Sequence, residues 1–88
     1  MFFTSEEFLK EAKSIIFNKV KNENKVFSHS NVDDVVYVVW YCWILENQKC
    51  LISTTIPDGK YYEITYNKER QEMYIDTYVR SENFKVEV

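Results

Sequence analysis

The chain has 88 residues, of which 45% are hydrophobic and 17% aromatic, and its formal net charge is −3. A chain of this length has room for one hydrophobic core, so the sequence predicts a single domain, residues 1–88. The aromatic content excludes a disordered chain. The 11 basic and 14 acidic residues are interspersed without a basic stripe, which excludes a protein that follows the phosphates of double-stranded nucleic acid.

The first predicted element is an amphipathic helix over about residues 5–21. Thr4 and Glu7 have the spacing of a capping box, and Phe3 and Phe8 have the spacing of a hydrophobic staple. Apolar residues then recur every three to four positions, which predicts that one side of this helix packs on the core.

A polar connecting loop is predicted for residues 23–34, with Val26 and Phe27 holding it against the core. His29, the one imidazole of the chain, lies in this loop between two serines. No acidic residue is placed to orient it, so we interpret His29 as an exposed loop residue rather than a catalytic base.

Residues 35–45 are rich in β-branched and aromatic residues and predict a strand. Strict alternation places Trp40 and Trp43 on opposite faces of this strand, and neither face is polar. Because one helix covers one face of a sheet, the other face needs the loop, the chain end or a second copy as its cover. We therefore expect a homo-oligomer, with a dimer favoured.

The same apolar run has about half of the roughly 20 residues that a membrane span needs, and no signal segment precedes it. These observations predict a cytoplasmic protein without a membrane partner. After a turn at Glu46–Gln48, further strands are predicted over about residues 49–56, 60–66, 72–80 and 84–88. Pro57–Gly59 forms the turn before the third strand. The predicted fold is α+β, an N-terminal helix packed on an antiparallel meander of four to five strands.

Cys42 and Cys50 lack CxxC spacing and the chain has a single His, so the sequence predicts neither a zinc site nor a redox pair. We expect both cysteines to be small buried residues, and we predict no metal and no cofactor.

Glu63 and Asp76 are the carboxylates best placed for acid and base chemistry, because they lie on consecutive strands and could face each other across a hairpin. A small hydrolase or lyase that uses this pair is one alternative. Polar positions on a solvent-facing strand would give the same pattern, and we favour that reading.

The third and fourth predicted strands carry a set of tyrosines that could form a ladder of rings on one sheet face, flanked by Lys60 and Arg80. Such a face would stack on a planar ligand or serve as a protein interface, where Tyr, Trp and Arg are enriched. Ordinary cross-strand packing is the alternative. The candidate binding residues are Trp40, Trp43, Tyr61, Tyr62, Glu63, Tyr66, Tyr74, Asp76, Tyr78 and Arg80.

The segment "STT-PDG-YYE-TYN" within residues 53–67, with Val38–Cys42 before it and Tyr74, Asp76 and Tyr78 after it, resembles a family of short uncharacterised proteins. These occur in phages and prophages of Gram-positive bacteria. The resemblance implies expression in a bacterial host cytoplasm, and it implies no reaction.

The leading hypothesis is a non-enzymatic phage accessory protein that modulates or sequesters a host component, either a defence protein or its nucleotide signal. The partner would then be a host protein or a small nucleotide-like ligand. A further alternative is a virion or assembly component.

Overall fold

A computed structural model describes residues 4–23 and 31–88. Its elements in chain order are helix α1 (Ser5–Glu23), short helix α2 (Val32–Val35) and strands β1 (Val36–Ile44), β2 (Asn47–Thr54), β3 (Lys60–Asn67) and β4 (Glu72–Val79). The strands form one four-stranded sheet in the order β1-β2-β3-β4, and every neighbouring pair is antiparallel. The predicted α+β class and the antiparallel meander are therefore confirmed.

Helix α1 begins with the predicted capping box. The Thr4 amide donates to Oε1 of Glu7 at 3.0 Å, and the Glu7 amide donates to Oγ1 of Thr4 at 3.1 Å. This hydrogen bonding lowers the pKa of the Glu7 carboxyl. The helix continues past residue 21 to Glu23, where the Lys19 ammonium pairs with Glu23 at 2.7 Å across one turn. Phe3, the predicted staple partner, lies outside the described residues.

The core lies between α1 and one side of the sheet. Helix α1 contributes its buried side, which consists of Phe8, Ala12, Ile16, Phe17 and Val20. The sheet contributes Val36, Cys50, Ile52, Tyr62, Ile64 and Tyr66. We call this side of the sheet the helix side and the other side the open face. Neither helix in the described part of the chain has the length and the apolar run that crossing a bilayer requires.

The chain enters the sheet through α2, where the sequence predicted loop up to residue 34 and strand from residue 35. The Asp34 amide donates to the Asn31 carbonyl at 3.1 Å, and two acidic residues in the first turn favour helix. Val35 is buried at the end of this turn, so its side chain fixes the start of β1. Val26, Phe27 and His29 lie outside the described residues.

Strand β1 contains a bulge at Val39, and strict alternation along this strand is therefore wrong beyond Val38. Val38 pairs with Ile52, whereas Trp40 pairs with Leu51, so Val39 has no partner on β2. The extra residue reverses the faces that follow. Tyr41 and Trp43 consequently lie on the helix side, opposite Cys50 and Gln48.

The turns also differ in part from the expected ones. Leu45 adopts a left-handed φ of 55°, and β2 already begins at Asn47 rather than at residue 49. Strand β2 ends at Thr54, whose Oγ1 accepts a hydrogen bond from the Ile56 amide at 3.2 Å. Gly59, at the end of the predicted Pro57–Gly59 turn, has a positive φ of 69°, which glycine adopts without strain.

The predicted last strand, residues 84–88, is wrong, because those residues have no strand partner within the described chain. Strand β3 starts at Lys60, opposite Val79, and the Arg80 amide donates to the Gly59 carbonyl at 2.9 Å. Beyond that bond the chain has passed the end of its neighbouring strand. All residues of the segment 80–88, called the tail below, are exposed.

Candidate binding face of the sheet

The open face is built from residues that lie opposite one another on neighbouring strands and therefore point to the same side. Successive cross-strand rows give its members, which are Tyr37, Ser53, Tyr61 and Tyr78, then Trp40, Leu51, Glu63 and Asp76, then Cys42, Lys49, Thr65 and Tyr74. No helix of the described chain covers this face. A mixed aromatic and charged surface is thus left to solvent.

Tyrosine rings form the row nearest the Pro57–Gly59 turn. Tyr37 is 47% exposed and Tyr78 is 51% exposed, with Tyr61 half-buried between their strands. The Arg80 guanidinium donates from Nη2 to the Tyr61 hydroxyl at 3.0 Å, which brings a cation to the end of this row. Rigid rings beside a guanidinium are typical of protein interfaces.

Glu63 occupies the centre of the open face and joins a polar network. The Tyr78 hydroxyl donates to Oε1 of Glu63 at 3.3 Å, and the Lys49 ammonium lies 3.6 Å from the same oxygen. The negative charge of Glu63 raises the pKa of the Tyr78 hydroxyl. These contacts hold the Glu63 side chain in place beside Leu51 and Tyr78.

Glu63 and Asp76 face each other across β3 and β4, as the sequence predicted. Two carboxylates directly opposite each other repel, and the Lys49 ammonium offsets part of that repulsion. Asp76 is exposed, so the pair lacks the enclosed setting that tuned acid and base groups use. Among the described residues, no cluster of His, Cys, Asp or Glu has the arrangement of a metal site.

The interpretation that all five tyrosines share one sheet face is wrong, because β3 alternates between the two sides. Tyr62 and Tyr66 lie on the helix side and are 1% and 3% exposed. Burial raises the pKa of the Tyr62 hydroxyl, and that hydroxyl has no hydrogen-bond partner within the described chain. Of the predicted set, Tyr61, Tyr74 and Tyr78 remain on the open face.

The two tryptophans lie on opposite sides of the sheet, in the regular part of β1 that follows the bulge. Trp40 lies on the open face and is 39% exposed, whereas Trp43 lies at the end of the helix side and is 48% exposed. They resemble each other in exposure and share one strand, but they present opposite surfaces. Trp40 therefore belongs to the candidate site and Trp43 does not.

Two of the concavities that border the sheet lie beside its open face and beside α1. One of about 390 Å³ lies at the end of the open face and is lined by Tyr37, Ile56, Pro57, Tyr61 and Arg80, among others. The other, of about 510 Å³, lies between α1 and β1, and its apolar residues are Leu9, Val32 and Val38. We assign no ligand to this second concavity.

The cysteines divide between the two sides of the sheet. Cys50 is fully buried, as predicted, and burial raises the pKa of its thiol to about 12. Cys42 is half-buried on the open face, so the expectation that both are buried holds for Cys50 alone. A thiol with so high a pKa is a packing residue rather than a nucleophile.

Sequence reasoning missed two features beside the open face. Ile75 and Val79, on the helix side of β4, are 40% and 63% exposed because α1 does not reach the edge of the sheet. The tail also carries exposed apolar residues, with Phe84 73% and Val86 69% exposed. The alternating pattern of the tail predicts a strand, and only the strand order shows that this segment has no neighbouring strand within the described residues.

The sequence matches the family described as "Family of unknown function (DUF6275)" over residues 9–88. This range includes all four strands and most of α1. Comparisons with curated proteins and with solved structures find no match.

Proposed function

The chain belongs to DUF6275, a family of unknown function, and we propose a function on the basis of the open face. The protein is a non-enzymatic binding protein that holds a protein partner on this surface. The observation that carries the proposal is the uncovered sheet face with Tyr37, Trp40 and Tyr78 exposed on it. A face of this kind on a small domain is typical of an interaction site.

The chemistry of the open face supports a macromolecular partner. Tyrosine and tryptophan rings supply large contact area with few rotatable bonds, so ordering them on binding costs little entropy. Glu63 is already fixed by Lys49 and Tyr78 before a partner arrives. An uncovered sheet face fits another folded surface better than it fits a small molecule.

The charges of the open face favour a partner with a basic or neutral surface. Glu63 and Asp76 lie side by side at its centre, and Lys49 offsets one of these two carboxylates. Asp76 is exposed and has room for a cation from the partner. This agrees with the net charge of −3 on the whole chain.

The setting of this binding comes from the resemblance to phage and prophage proteins. We propose that the partner is a component of a bacterial host cell, that a defence protein is the first such component to test, and that binding modulates or sequesters it. A homodimer that presents two open faces would increase the avidity for an oligomeric target.

A second candidate is a small nucleotide-like ligand, and the concavity of about 390 Å³ favours it. Arg80 supplies a cation and Tyr37 and Tyr61 supply rings around this space, which is the combination that binds a phosphate and a base. Isothermal titration with a set of cyclic and linear nucleotides tests this candidate. Saturable binding that the Arg80→Gln variant loses supports it, and the absence of heat with every nucleotide rules it out.

The binding function is tested by a quantitative pull-down of host proteins with wild type and two matched variants. Trp40→Ser removes an exposed ring from the open face, and Trp43→Ser removes a similarly exposed ring from the other side of the same strand. The proposal expects one host protein that wild type and Trp43→Ser retain and that Trp40→Ser loses. Equal recovery on all three chains, or recovery of no partner, contradicts it.

A further inference from the structure

Strand β4 forms one edge of the sheet, and the tail continues directly from it. No strand of the described chain lies on the outer side of β4 or on either side of the tail. The Lys85 ammonium lies 3.2 Å from the Glu87 carboxylate, so these side chains share one side, as residues two apart do in an extended backbone. Phe84, Val86 and Val88 alternate with them.

The other edge of the sheet is less suited to pairing. Strand β1 carries the Val39 bulge near its middle, and a bulge interrupts the ladder that an added strand would need. Within β4 no bulge occurs, since its register with β3 is continuous from Lys60–Val79 to Asn67–Glu72. The free, regular edge of the sheet is therefore β4 with the tail.

We propose that two copies of this chain pair through β4 and the tail as antiparallel strands, with the two-fold axis at Ser81. Each tail then lies against the outer edge of the partner's β4, and the two sheets form one continuous sheet. This proposal goes beyond the binding function of the open face and does not depend on it, because a monomer with an open face would still bind.

The charges of β4 and the tail disfavour several of the neighbouring registers. In a two-fold pair, residues equally far from the axis residue lie opposite each other. Axes at Asp76, Thr77, Val79, Arg80 or Glu82 each set like charges directly opposite, which is destabilising. An axis at Tyr78 pairs Asp76 with Arg80 but leaves residues 85–88 without a neighbour.

The axis at Ser81 pairs opposite charges and occupies the whole tail. It sets Arg80 opposite Glu82 of the second copy and Tyr78 opposite Phe84, and symmetry repeats each pair. Tyr74 lies opposite Val88 in the same register. The Arg80 guanidinium has donors to spare for Glu82 while it keeps its bond to Tyr61.

Side-chain direction supports the same arrangement. Tyr74, Asp76 and Tyr78 point to the open face, and residues opposite them in an antiparallel pair point the same way. The apolar tail residues Phe84, Val86 and Val88 would therefore extend the aromatic open face of the second copy. These exposed apolar groups gain neighbours in the pair.

A charge exchange between Arg80 and Glu82 tests the register, with mass measured by light scattering during size exclusion. Wild type is expected at twice the mass of one chain. Arg80→Glu and Glu82→Arg are each expected to shift the protein to the mass of one chain, and the double variant R80E/E82R is expected to restore the dimer. A wild type that stays monomeric at every concentration overturns the proposal, and so does a double variant that remains monomeric while its circular dichroism matches wild type.

A disulfide trap gives a second, independent measurement in a chain whose Cys42 is replaced by Ser. With the axis at Ser81, the two copies of residue 81 lie directly opposite, at about 4.5–5.5 Å between Cα atoms, which suits a disulfide. Ser81→Cys is expected to form a covalent dimer on mild oxidation. Asn83→Cys, whose two copies are displaced along the strands, is the matched control, and equal trapping of both variants overturns the register.

Discussion

The hydroxyl of Tyr41 donates a hydrogen bond to Oε1 of the buried Gln48 at 2.8 Å. This contact exists because the bulge at Val39 turns Tyr41 to the helix side, where its ring also lies 6.1 Å from the ring of Phe8. The same bulge turns Trp40 outward. One unpaired residue thus sets both the edge of the core and the composition of the open face.

The Tyr41–Gln48 contact is expected to contribute to stability. Tyr41→Phe keeps the ring but removes one partner of a buried amide, so we expect the free energy of unfolding to fall by about 1 kcal/mol. Tyr74→Phe is the control, because its hydroxyl bonds the Glu72 carboxylate at the exposed surface. Urea unfolding of both variants checks this, and an equal small loss in both would contradict it.

Removing the Tyr62 hydroxyl is expected to have a different effect on stability from removing the Tyr41 hydroxyl. Its hydroxyl is buried and has no hydrogen-bond partner in the described chain, so burial imposes a desolvation cost that no contact offsets. Tyr62→Phe should therefore leave the free energy of unfolding unchanged or raise it by up to about 1 kcal/mol. A clear loss of stability in the same urea measurement would show that the hydroxyl has a partner.

The cysteines should differ in reactivity and in their effect on stability at high pH. Because the pKa of Cys50 is raised to about 12 by burial, a thiol reagent at pH 8 should label Cys42 in the folded protein and leave Cys50 unmodified. The unfolded chain loses the Cys50 proton at lower pH than the folded chain. With respect to Cys50, the free energy of unfolding is therefore highest below the pKa that its thiol has in the unfolded chain. It falls as the pH rises towards 12. Equal labelling rates for the two thiols would contradict the burial of Cys50.

The pKa of Tyr78 depends on the charge of Glu63 at the centre of the open face. Glu63 raises the pKa of Tyr78, so Glu63→Gln should lower it, as followed by the ring carbon signals in an NMR titration. The hydrogen bond to Glu72 raises the pKa of Tyr74, which makes Glu72→Gln the matched control. That control should shift Tyr74 downwards and leave Tyr78 in place. A Tyr78 that titrates alike in wild type and Glu63→Gln would show that the network is not formed.

Local sequence signals predicted much of the fold because each has a short-range cause. The Thr4–Glu7 capping box, the Gly59 turn and the facing of Glu63 and Asp76 all follow from spacing along the chain. The bulge at Val39 does not, since the run Val38–Trp40 has no glycine or proline to mark it. Strict alternation therefore puts Trp40 on the same face as Val38, whereas the bulge puts the two residues on opposite faces.

The rest of the candidate site depended on tertiary structure. The sequence does not show that Tyr62 and Tyr66 are buried, because tyrosine is common both in cores and at interfaces. Their burial follows from the position of α1 on the sheet. The tail has the alternation of a strand, and its lack of a partner follows from where β3 begins.

The central claim is that the open face, and not the opposite side of the sheet, holds a protein partner. A photo-crosslinking amino acid placed at position 40 or at position 43, in a chain expressed in a Gram-positive bacterium, tests this most directly. We expect an adduct heavier than a dimer of the chain from position 40 and none from position 43. Equal adducts from the two positions, or an adduct from position 43 alone, would contradict it.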